Sequence, residues 1–573
     1  MESKESCRVG MQQPDEQRAI TTARHVLSAV IRAGIRDLVI SPGSRSAPLA
    51  YAAAEAAAAG ILDIHVRIDE RSAAFMALGL AQGTGRPVAL AATSGSAVGQ
   101  MLPAVMEANH TATPLLVLSA DRPDELHGTG ASQSTRQKNL FGEHVRLAAN
   151  VPAGADPQDQ VRQVLASLAG DQQVPAGPVQ LNLQFRDPLI PAPEERIEEQ
   201  RWTAIEPGRW PGPRQPDMSA LPVQQLKPRR SVVVAGHGAG EEAQQFAQEL
   251  GLPLFAEPSS NARFSANAIG HYRPLITVGL ERIERVVLFG RPTLSRPVGK
   301  LLADPAIESA IWQPVPVAWY EQGRRRETPV SSWSELRQFA GSGAPGWLEA
   351  WQQLDAQALA VRQGLSRASS VNGPAVAEAI WEHSPEVLLL GSSNIVRDFD
   401  LAARPAPVRT MRVHANRGLA GIDGTIATAL GLAQGSKRPT LAVMGDITFA
   451  HDASSLSWTP GEEQPVVDIV VYNDGGGAIF STLEHGEVDA SGRYANAVER
   501  LFATPQRLSL LALAEAYGWQ YAKAETKEEL GAVLAARRTA NLRLIEVPAS
   551  RSNLRAETLE LNQAIGQLSW PTP

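Results

Sequence analysis

The chain has 573 residues, enough for roughly three to four domains, and its 43% apolar and 20% charged residues describe an ordinary globular protein. A formal net charge of -7 gives no electrostatic reason to expect nucleic acid or an anionic membrane surface as a partner. The single cysteine, Cys7, sits in a polar stretch (Met1 to about Asp15) that lacks the apolar core of a signal peptide, and no run approaches bilayer length; a cytoplasmic protein without membrane insertion is expected.

From Thr21 to Ala33 apolar residues recur at helical spacing, and Gly34 ends that helix before a strand, Asp37 to Ile40. The strand runs into Ser41-Pro42-Gly43-Ser44-Arg45-Ser46, a turn whose hydroxyls and arginine suit either an anion or a plain connection. Ile64 to Ile68 alternates like a half-buried strand. It delivers Asp69-Glu70-Arg71 to a small-residue helix reaching Gly83, where acids also complement the helix dipole. The strand Pro114 to Ser119 ends in Ala120-Asp121-Arg122-Pro123, and a polar segment, Gly128 to Lys138, carries Gln133 and Arg136. A strand from Val179 to Leu183 closes this region before a proline- and charge-rich linker through Pro216.

A second α/β pattern opens with Arg230 to Ala235 and Gly236-His237-Gly238-Ala239-Gly240. Such glycines after a strand can mark a dinucleotide site, but the third comes too soon, and a structural α/β domain is the expectation. Val286 to Gly290 then ends a strand before Arg291-Pro292-Thr293-Leu294-Ser295-Arg296-Pro297, where a basic residue can reach a neighbouring cleft. A third pattern starts near Gly373 with a helix, then the strand Val387 to Leu390 and its polar exit through Ser393 and Arg397. Arg409 to Gly418 brings Arg417. Each arginine alone fits a solvated surface, whereas their recurrence at strand ends fits a ligand cleft.

The remaining signal is a stretch from Gly445 to Gly477. Two apolar runs, Thr440 to Met444 and Val466 to Val471, read as buried parallel strands ending in Gly445-Asp446-Ile447-Thr448 and Tyr472-Asn473-Asp474-Gly475-Gly476-Gly477. An acid, an amide oxygen and a glycine carbonyl suit magnesium, which takes few carboxylates when phosphate supplies the rest; two polar turns are the plainer reading. Upstream, Gly431 to Pro439 matches Gly79 to Pro87 at seven positions without a gap, an internal duplication. Its offset sets Ser94 opposite Asp446 and Glu70 opposite Ile422.

Taken together, Ser41-Pro42-Gly43-Ser44-Arg45-Ser46, Asp69-Glu70-Arg71, Thr93-Ser94-Gly95-Ser96-Ala97, Ala120-Asp121-Arg122-Pro123, Asn416-Arg417-Gly418 and Gly421-Ile422-Asp423-Gly424 resemble the thiamine-diphosphate enzyme superfamily. Within it they are similar to the menaquinone-pathway synthases that act on 2-oxoglutarate and isochorismate. The resemblance covers nearly the whole chain. It implies three α/β domains with mostly parallel sheets: a pyrimidine-binding domain at 14–195, a central structural domain at 196–355 and a diphosphate- and metal-binding domain at 356–573. It also implies dimers or dimers of dimers, with the cofactor between the first domain of one subunit and the third of another.

The reaction so implied is decarboxylation of 2-oxoglutarate on thiamine diphosphate and conjugate addition of the product to isochorismate, giving 2-succinyl-5-enolpyruvyl-6-hydroxy-3-cyclohexene-1-carboxylate and CO2. By the resemblance, Glu70 exchanges a proton with the aminopyrimidine, and Asp446, Asn473 and Gly475 hold Mg2+, or Mn2+ in its place. Gly445, Ile447 and Thr448 line the cofactor's anchor, and Ile422 supports its bent shape. Ser44, Arg45, Arg122, Gln133, Ser393, Arg397 and Arg417 match substrate-contacting positions, and Arg296 stands where the family has a lysine. The chain departs from the pattern at Asp474, where many relatives have asparagine, and at Ala478, an insertion before Ile479-Phe480. Two alternatives stay open: another thiamine-diphosphate enzyme, such as a 2-oxoacid decarboxylase or acetolactate-type synthase, and a nucleotide-binding regulator using Gly236 to Gly240.

Overall fold

The apolar runs assemble into three parallel sheets with helices between successive strands, as chains alternating strand and helix must. The computed structural model describes residues 18–192, 202–212, 218, 223–321, 323–365, 371–406, 408–492 and 494–571. Cys7 and the Pro216 end of the expected linker lie outside them. None of the described helices is long and apolar enough to cross a membrane.

The first sheet contains β1 (Asp37–Ile40), β2 (Asp63–Val66), β3 (Val88–Ala92), β4 (Leu115–Asp121), β5 (Ala148–Val151) and β6 (Val179–Gln184), in the order β2-β1-β3-β4-β6-β5. β3 and β4 are buried at every residue and read as largely apolar runs; β6 is equally buried but alternates Val179, Leu181 and Leu183 with Gln180, Asn182 and Gln184, and β2 at the edge buries only His65. In the middle region β7 (Pro228–Arg229) pairs with β13 (Ser342–Gly343). Beside that pair, β8 (Ser231–Ala235), β9 (Leu254–Ala256), β10 (Arg285–Phe289), β11 (Glu308–Trp312) and β12 (Thr328–Val330) form a sheet in the order β12-β11-β10-β8-β9. The last sheet holds β14 (Val387–Leu390), β15 (Arg412–His414), β16 (Thr440–Gly445), β17 (Val467–Asn473), β18 (Gln520–Lys523) and β19 (Leu542–Pro548), ordered β15-β14-β16-β17-β19-β18.

The first and last sheets thus share one strand order, and the internal duplication is real in the backbone. The helices Glu70–Thr84 and Thr425–Ser436 end on Gly85 and Lys437, both left-handed (φ 67° and 55°), with cap N–H groups on the carbonyls of Ala81 and Ala433. Thr84 and Ser436 hydroxyls donate back to Leu80 and Leu432 at 2.8 and 2.7 Å. The two copies differ at the helix start: Glu70 is already helical, whereas Ile422 precedes its helix by three residues.

Packing divides the chain into two compact units, Met1–Asp171 with Ala176–Gly212, and Gln172–Pro175 with Pro213–Pro573. In the second unit the expected seam between residues 355 and 356 falls inside the helix Trp347–Leu365, whose Trp347, Trp351, Leu354 and Ala358 are buried in the core of the middle sheet. The carboxyl-terminal helix Leu554–Gly566 returns to that core through Ile565, and Trp570 stacks on Trp347 with centroids 5.4 Å apart. The middle glycines serve a backbone crossing: a Cβ on Gly236 would lie 2.2 Å from the Arg291 carbonyl carbon, and His237 bridges to Arg291.

Candidate functional site

In the first sheet, the loops after β1, β3 and β4 leave from carboxyl ends, where parallel sheets bind ligands. Ser41 Oγ, Thr93 Oγ1 and Ser94 Oγ are buried there without a hydrogen-bond partner among the described residues, so the fold does not consume them. Gly43 has no room for a side chain, since a Cβ would fall 2.3 Å from that of Thr93. Arg45 is buried and anchored, Nη1 donating to the Phe185 carbonyl at 2.8 Å, and its neighbour Ser44 is exposed. Arg122 follows β4 with its N–H on Asp121 Oδ1 (2.7 Å) and its Nε buried without a partner among the described residues. Gln133 is exposed and left-handed (φ 52°), and its backbone lies against Gly95. That contact is fixed by Gln137, fully buried, which accepts from Gly95 N–H (3.1 Å) and donates to the Ala120 carbonyl (2.8 Å) and Asn182 Oδ1 (2.9 Å). Nothing in the sequence separates Gln137 from the polar residues around it.

Asp69 caps the helix Glu70–Thr84, its Oδ1 accepting from the N–H groups of Arg71 (2.9 Å) and Ser72 (3.2 Å), which puts Glu70 at the first helical position. The Glu70 carboxylate is half-buried, with no ion pair or hydrogen bond among the described residues. It is held in place by the backbone and left available.

In the second unit, Asp446 follows β16, buried, with Oδ1 accepting from Ile447 N–H at 2.9 Å. Burial holds its carboxyl above the ordinary range, against the opposing N–H groups of Ile447 and Gly476 and the Arg551 charge. After the neighbouring strand β17 come Asn473, Asp474 and Gly475. Burial and the Asp446 charge push the Asp474 carboxyl up to about 7. Asn473 Nδ2 donates to Glu546 Oε1 at 2.8 Å, and Glu546 Oε2 accepts from the Tyr521 hydroxyl at 2.6 Å. Gly475 is left-handed (φ 77°), and a Cβ on Gly476 (φ 142°) would fall 2.6 Å from the Ala503 oxygen, so the glycines here are a backbone requirement.

Ile422 is half-buried ahead of the helix Thr425–Ser436, which Gly424 opens in a left-handed conformation. The buried N–H groups of that helix start, those of Ile426 and Ala427, go to Asp452 Oδ2 at 2.7 and 3.1 Å, a distant cap that no local pattern announces. Gly445 packs on Ser393, its added Cβ lying 3.3 Å from the serine's; Ile447 is half-buried and Thr448 buried.

Arg397 Nη1 donates to the Ser393 carbonyl at 3.4 Å, and its guanidinium is held below its usual range by burial and then by Arg273. Arg417 is buried, with Nε on Thr293 Oγ1 and Nη2 on the Thr293 carbonyl, both at 2.9 Å, and Nη1 3.5 Å from Ser392 Oγ. Thr293 in turn gives its N–H to Glu257 Oε1 at 2.8 Å. The middle region therefore reaches the last one through Thr293, and through Arg291 on the Gly418 carbonyl. Arg296 is exposed and paired with Glu484 at 2.9 Å rather than with the other expected substrate residues.

A hard divalent cation takes oxygen ligands, and Asp446 Oδ, Asn473 Oδ1 and the Gly475 carbonyl are such a set. A cation would also relieve the repulsion between the Asp446 and Asp474 carboxylates. Among the described residues no group of three or more His, Cys, Asp or Glu could hold a metal, so a cation here relies on amide, carbonyl and non-protein oxygens. The residues fit a diphosphate-bound Mg2+.

Residues 20–140 match the family model described as Thiamine pyrophosphate enzyme, N-terminal TPP binding domain, and residues 400–547 the one described as Thiamine pyrophosphate enzyme, C-terminal TPP binding domain. The 2-succinyl-5-enolpyruvyl-6-hydroxy-3-cyclohexene-1-carboxylate (SEPHCHC) synthase of Arthrobacter sp. (strain FB24) is 52% identical over 563 residues, covering 96% of this chain and 93% of that protein. Proteins of the same name from Paenarthrobacter aurescens (strain TC1) and Kineococcus radiotolerans are 52% and 41% identical, covering 97% and 94% of this chain and 98% and 97% of theirs. The chain belongs to the SEPHCHC synthase family. The crystal structure of benzoylformate decarboxylase from Polynucleobacter necessarius shares its fold, with a TM-score of 0.65 at 17% identity over 93% of this chain and 99% of that one. In this SEPHCHC synthase relative, the amino-terminal match includes Ser44, Arg45, Glu70, Arg122 and Gln133, and the carboxyl-terminal match includes Arg417, Ile422, Asp446, Asn473, Gly475 and Glu546. Arg296, Ser393 and Arg397 lie outside both.

Proposed function

We propose that the chain catalyses the thiamine-diphosphate-dependent decarboxylation of 2-oxoglutarate and joins the remaining unit to isochorismate, yielding SEPHCHC and CO2. The observation that carries this reading is 52% identity along nearly the whole chain with relatives bearing that name. Bound thiamine diphosphate supplies the electron sink that lets a 2-oxo acid lose CO2. Glu70 would hold the proton exchanged with the bound aminopyrimidine, the role its available carboxylate suits. Asp446, Asn473 and Gly475 hold Mg2+, or Mn2+ in its place, while Gly445, Ile447 and Thr448 receive the diphosphate and Ile422 supports the rings. Ser44, Arg45, Arg122, Gln133, Ser393, Arg397 and Arg417 bind the substrate carboxylates, with Arg296 at the rim. Arginine's planar fork matches a carboxylate in pairs, and isochorismate and 2-oxoglutarate bring several.

The functional regions follow as a pyrimidine-binding region at 14–195, a central region from 196 that takes in the whole helix Trp347–Leu365, and a diphosphate- and metal-binding region beyond it. The assembly is a homodimer or dimer of dimers in the cytoplasm. The test is a mass-spectrometric assay of the purified protein with thiamine diphosphate, Mg2+, 2-oxoglutarate and isochorismate. The product mass should appear only with both substrates. A protein that prefers pyruvate, or responds only to a nucleotide, overturns the reading.

A further inference from the structure

We propose that Glu546 is the positioning residue of the metal loop, fixing the Asn473 amide so that its oxygen, not its nitrogen, is presented to the cation. This rests on the reading of Asp446, Asn473 and Gly475 as the cation's ligands.

The three residues concerned lie on one face of three adjacent parallel strands. β17 pairs with β19 so that Val471 faces Glu546 and Asn473 faces Pro548, while β18 sets Tyr521 opposite Leu544 and Lys523 opposite Glu546. Side chains two residues apart share a face, so Asn473 and Tyr521 each stand diagonally beside Glu546. The hydrogen bonds follow: Asn473 Nδ2 donates to Oε1 at 2.8 Å and the Tyr521 hydroxyl donates to Oε2 at 2.6 Å.

An ionised carboxylate only accepts, so it can be satisfied by the NH2 end of an amide and never by its carbonyl end. Asn473, the last residue of β17, is therefore locked in one of its two flip states, with Oδ1 turned away from Glu546. The flipped amide would aim two N–H groups at a cation. Tyr521 occupies the other carboxylate oxygen and keeps Glu546 from swinging aside. Its own hydroxyl is driven up by burial and by the bond to Glu546, so it stays a donor. Arg543, the strand's other charged residue, is paired with Asp468 at 2.8 Å; the rest of Leu542 to Pro548 is apolar, so Glu546 too needs a reason.

The measurement is the dissociation constant of Mg2+ with thiamine diphosphate at saturation, by calorimetry, alongside melting of the apoprotein. Partners that orient metal ligands typically contribute 10- to 100-fold in affinity, so Glu546→Ala should weaken Mg2+ by roughly that range. Glu546→Gln should recover most of the loss, because its carboxamide oxygen still accepts from Asn473 while its NH2 turns to the Tyr521 oxygen. An unchanged constant in Glu546→Ala, or a glutamine variant as weak as the alanine one, overturns the proposal; the second result would assign the effect to charge rather than orientation. Should Glu546→Ala fail to fold, Tyr521→Phe carries the test, with weaker Mg2+ binding and unchanged apoprotein melting expected and unchanged Mg2+ binding fatal. Asp446→Ala in the same assay separates the two levels. If it binds Mg2+ like the parent, the ligand assignment itself fails; if it loses Mg2+ while Glu546→Ala does not, only the positioning role falls.

Discussion

Arg417 is held by Thr293, which takes its Nε at 2.9 Å on the hydroxyl and its Nη2 at 2.9 Å on the carbonyl. Thr293 is itself pinned by Glu257, whose Oε1 accepts the N–H groups of Thr293 (2.8 Å) and Leu294 (2.9 Å). A loop of the middle region thus sets the direction of an arginine assigned to substrate, which gives that region a part beyond scaffolding. Thr293→Val keeps the side-chain shape and the carbonyl contact but removes one acceptor from a charged donor. Hydrogen bonds to charged groups contribute about 1.5–3 kcal/mol, so the KM of one substrate should rise roughly tenfold or more with the fold retained. Steady-state kinetics with each substrate varied in turn would show it, and unchanged constants would detach Arg417 from binding.

Glu70→Gln should leave melting of the apoprotein within about 0.5 kcal/mol of the parent, because the carboxylate has no partner among the described residues to lose and near-neutral changes of that size are usual at such sites. Turnover should fall by a factor on the order of 100 to 10,000, the usual contribution of a positioned acid or base. Near-normal turnover would remove Glu70 from the mechanism.

How legible these features are in the sequence depends on whether their cause is local. The strand ends carrying Arg122, Ser393 and Asp446 can be read because a parallel strand buried on both faces must be a continuous apolar run. The duplication can be read because Gly79 to Pro87 and Gly431 to Pro439 serve the same helix end and the same strand entry. Asp452, Thr293 and Glu546 cannot be found that way, since each acts on a partner 25 or more positions away and only the folded chain brings them together. That residue 355 falls inside a helix is hidden in the sequence for a related reason. Trp347, Trp351, Leu354 and Ala358 make one continuous helix face, and only the middle core shows which sheet that face covers.

Asp446→Ala should abolish Mg2+-dependent retention of thiamine diphosphate while leaving the metal-free protein at least as stable at pH 8. Its carboxyl is raised by burial, so the ionised form is a strained occupant without a cation, and its removal relieves Asp474. Equilibrium dialysis and apoprotein melting check the two halves. Cofactor retained as tightly as in the parent with Mg2+ present would place the anchor elsewhere.

Glu257 supplies a pH signature of its own. Burial raises its carboxyl from 4.5 to about 7; the N–H groups of Leu294 and Thr293 and the charge of Arg417 pull it down, and Asp400 pushes it up. Between pH 4.5 and about 7 the unfolded chain has shed this proton while the folded one keeps it, so the folded state binds more protons and stability falls as pH rises through that window. Below the window both states are protonated and above it both are ionised, so the contribution is flat on either side. His237 and His414, buried and lowered to about 3 and about 4, act in the opposite sense by favouring the folded state as pH rises toward 6.5. The Glu257 component must therefore be read as a difference between parent and variant. Glu257→Gln keeps an oxygen for the Thr293 and Leu294 N–H groups but cannot titrate. Denaturant unfolding of both apoproteins should show the variant gaining on the parent, by an amount on the order of 3 kcal/mol, as pH goes from 4.5 to 7.5. A difference that stays constant across that range would mean that the Glu257 carboxyl titrates alike in the folded and unfolded chain.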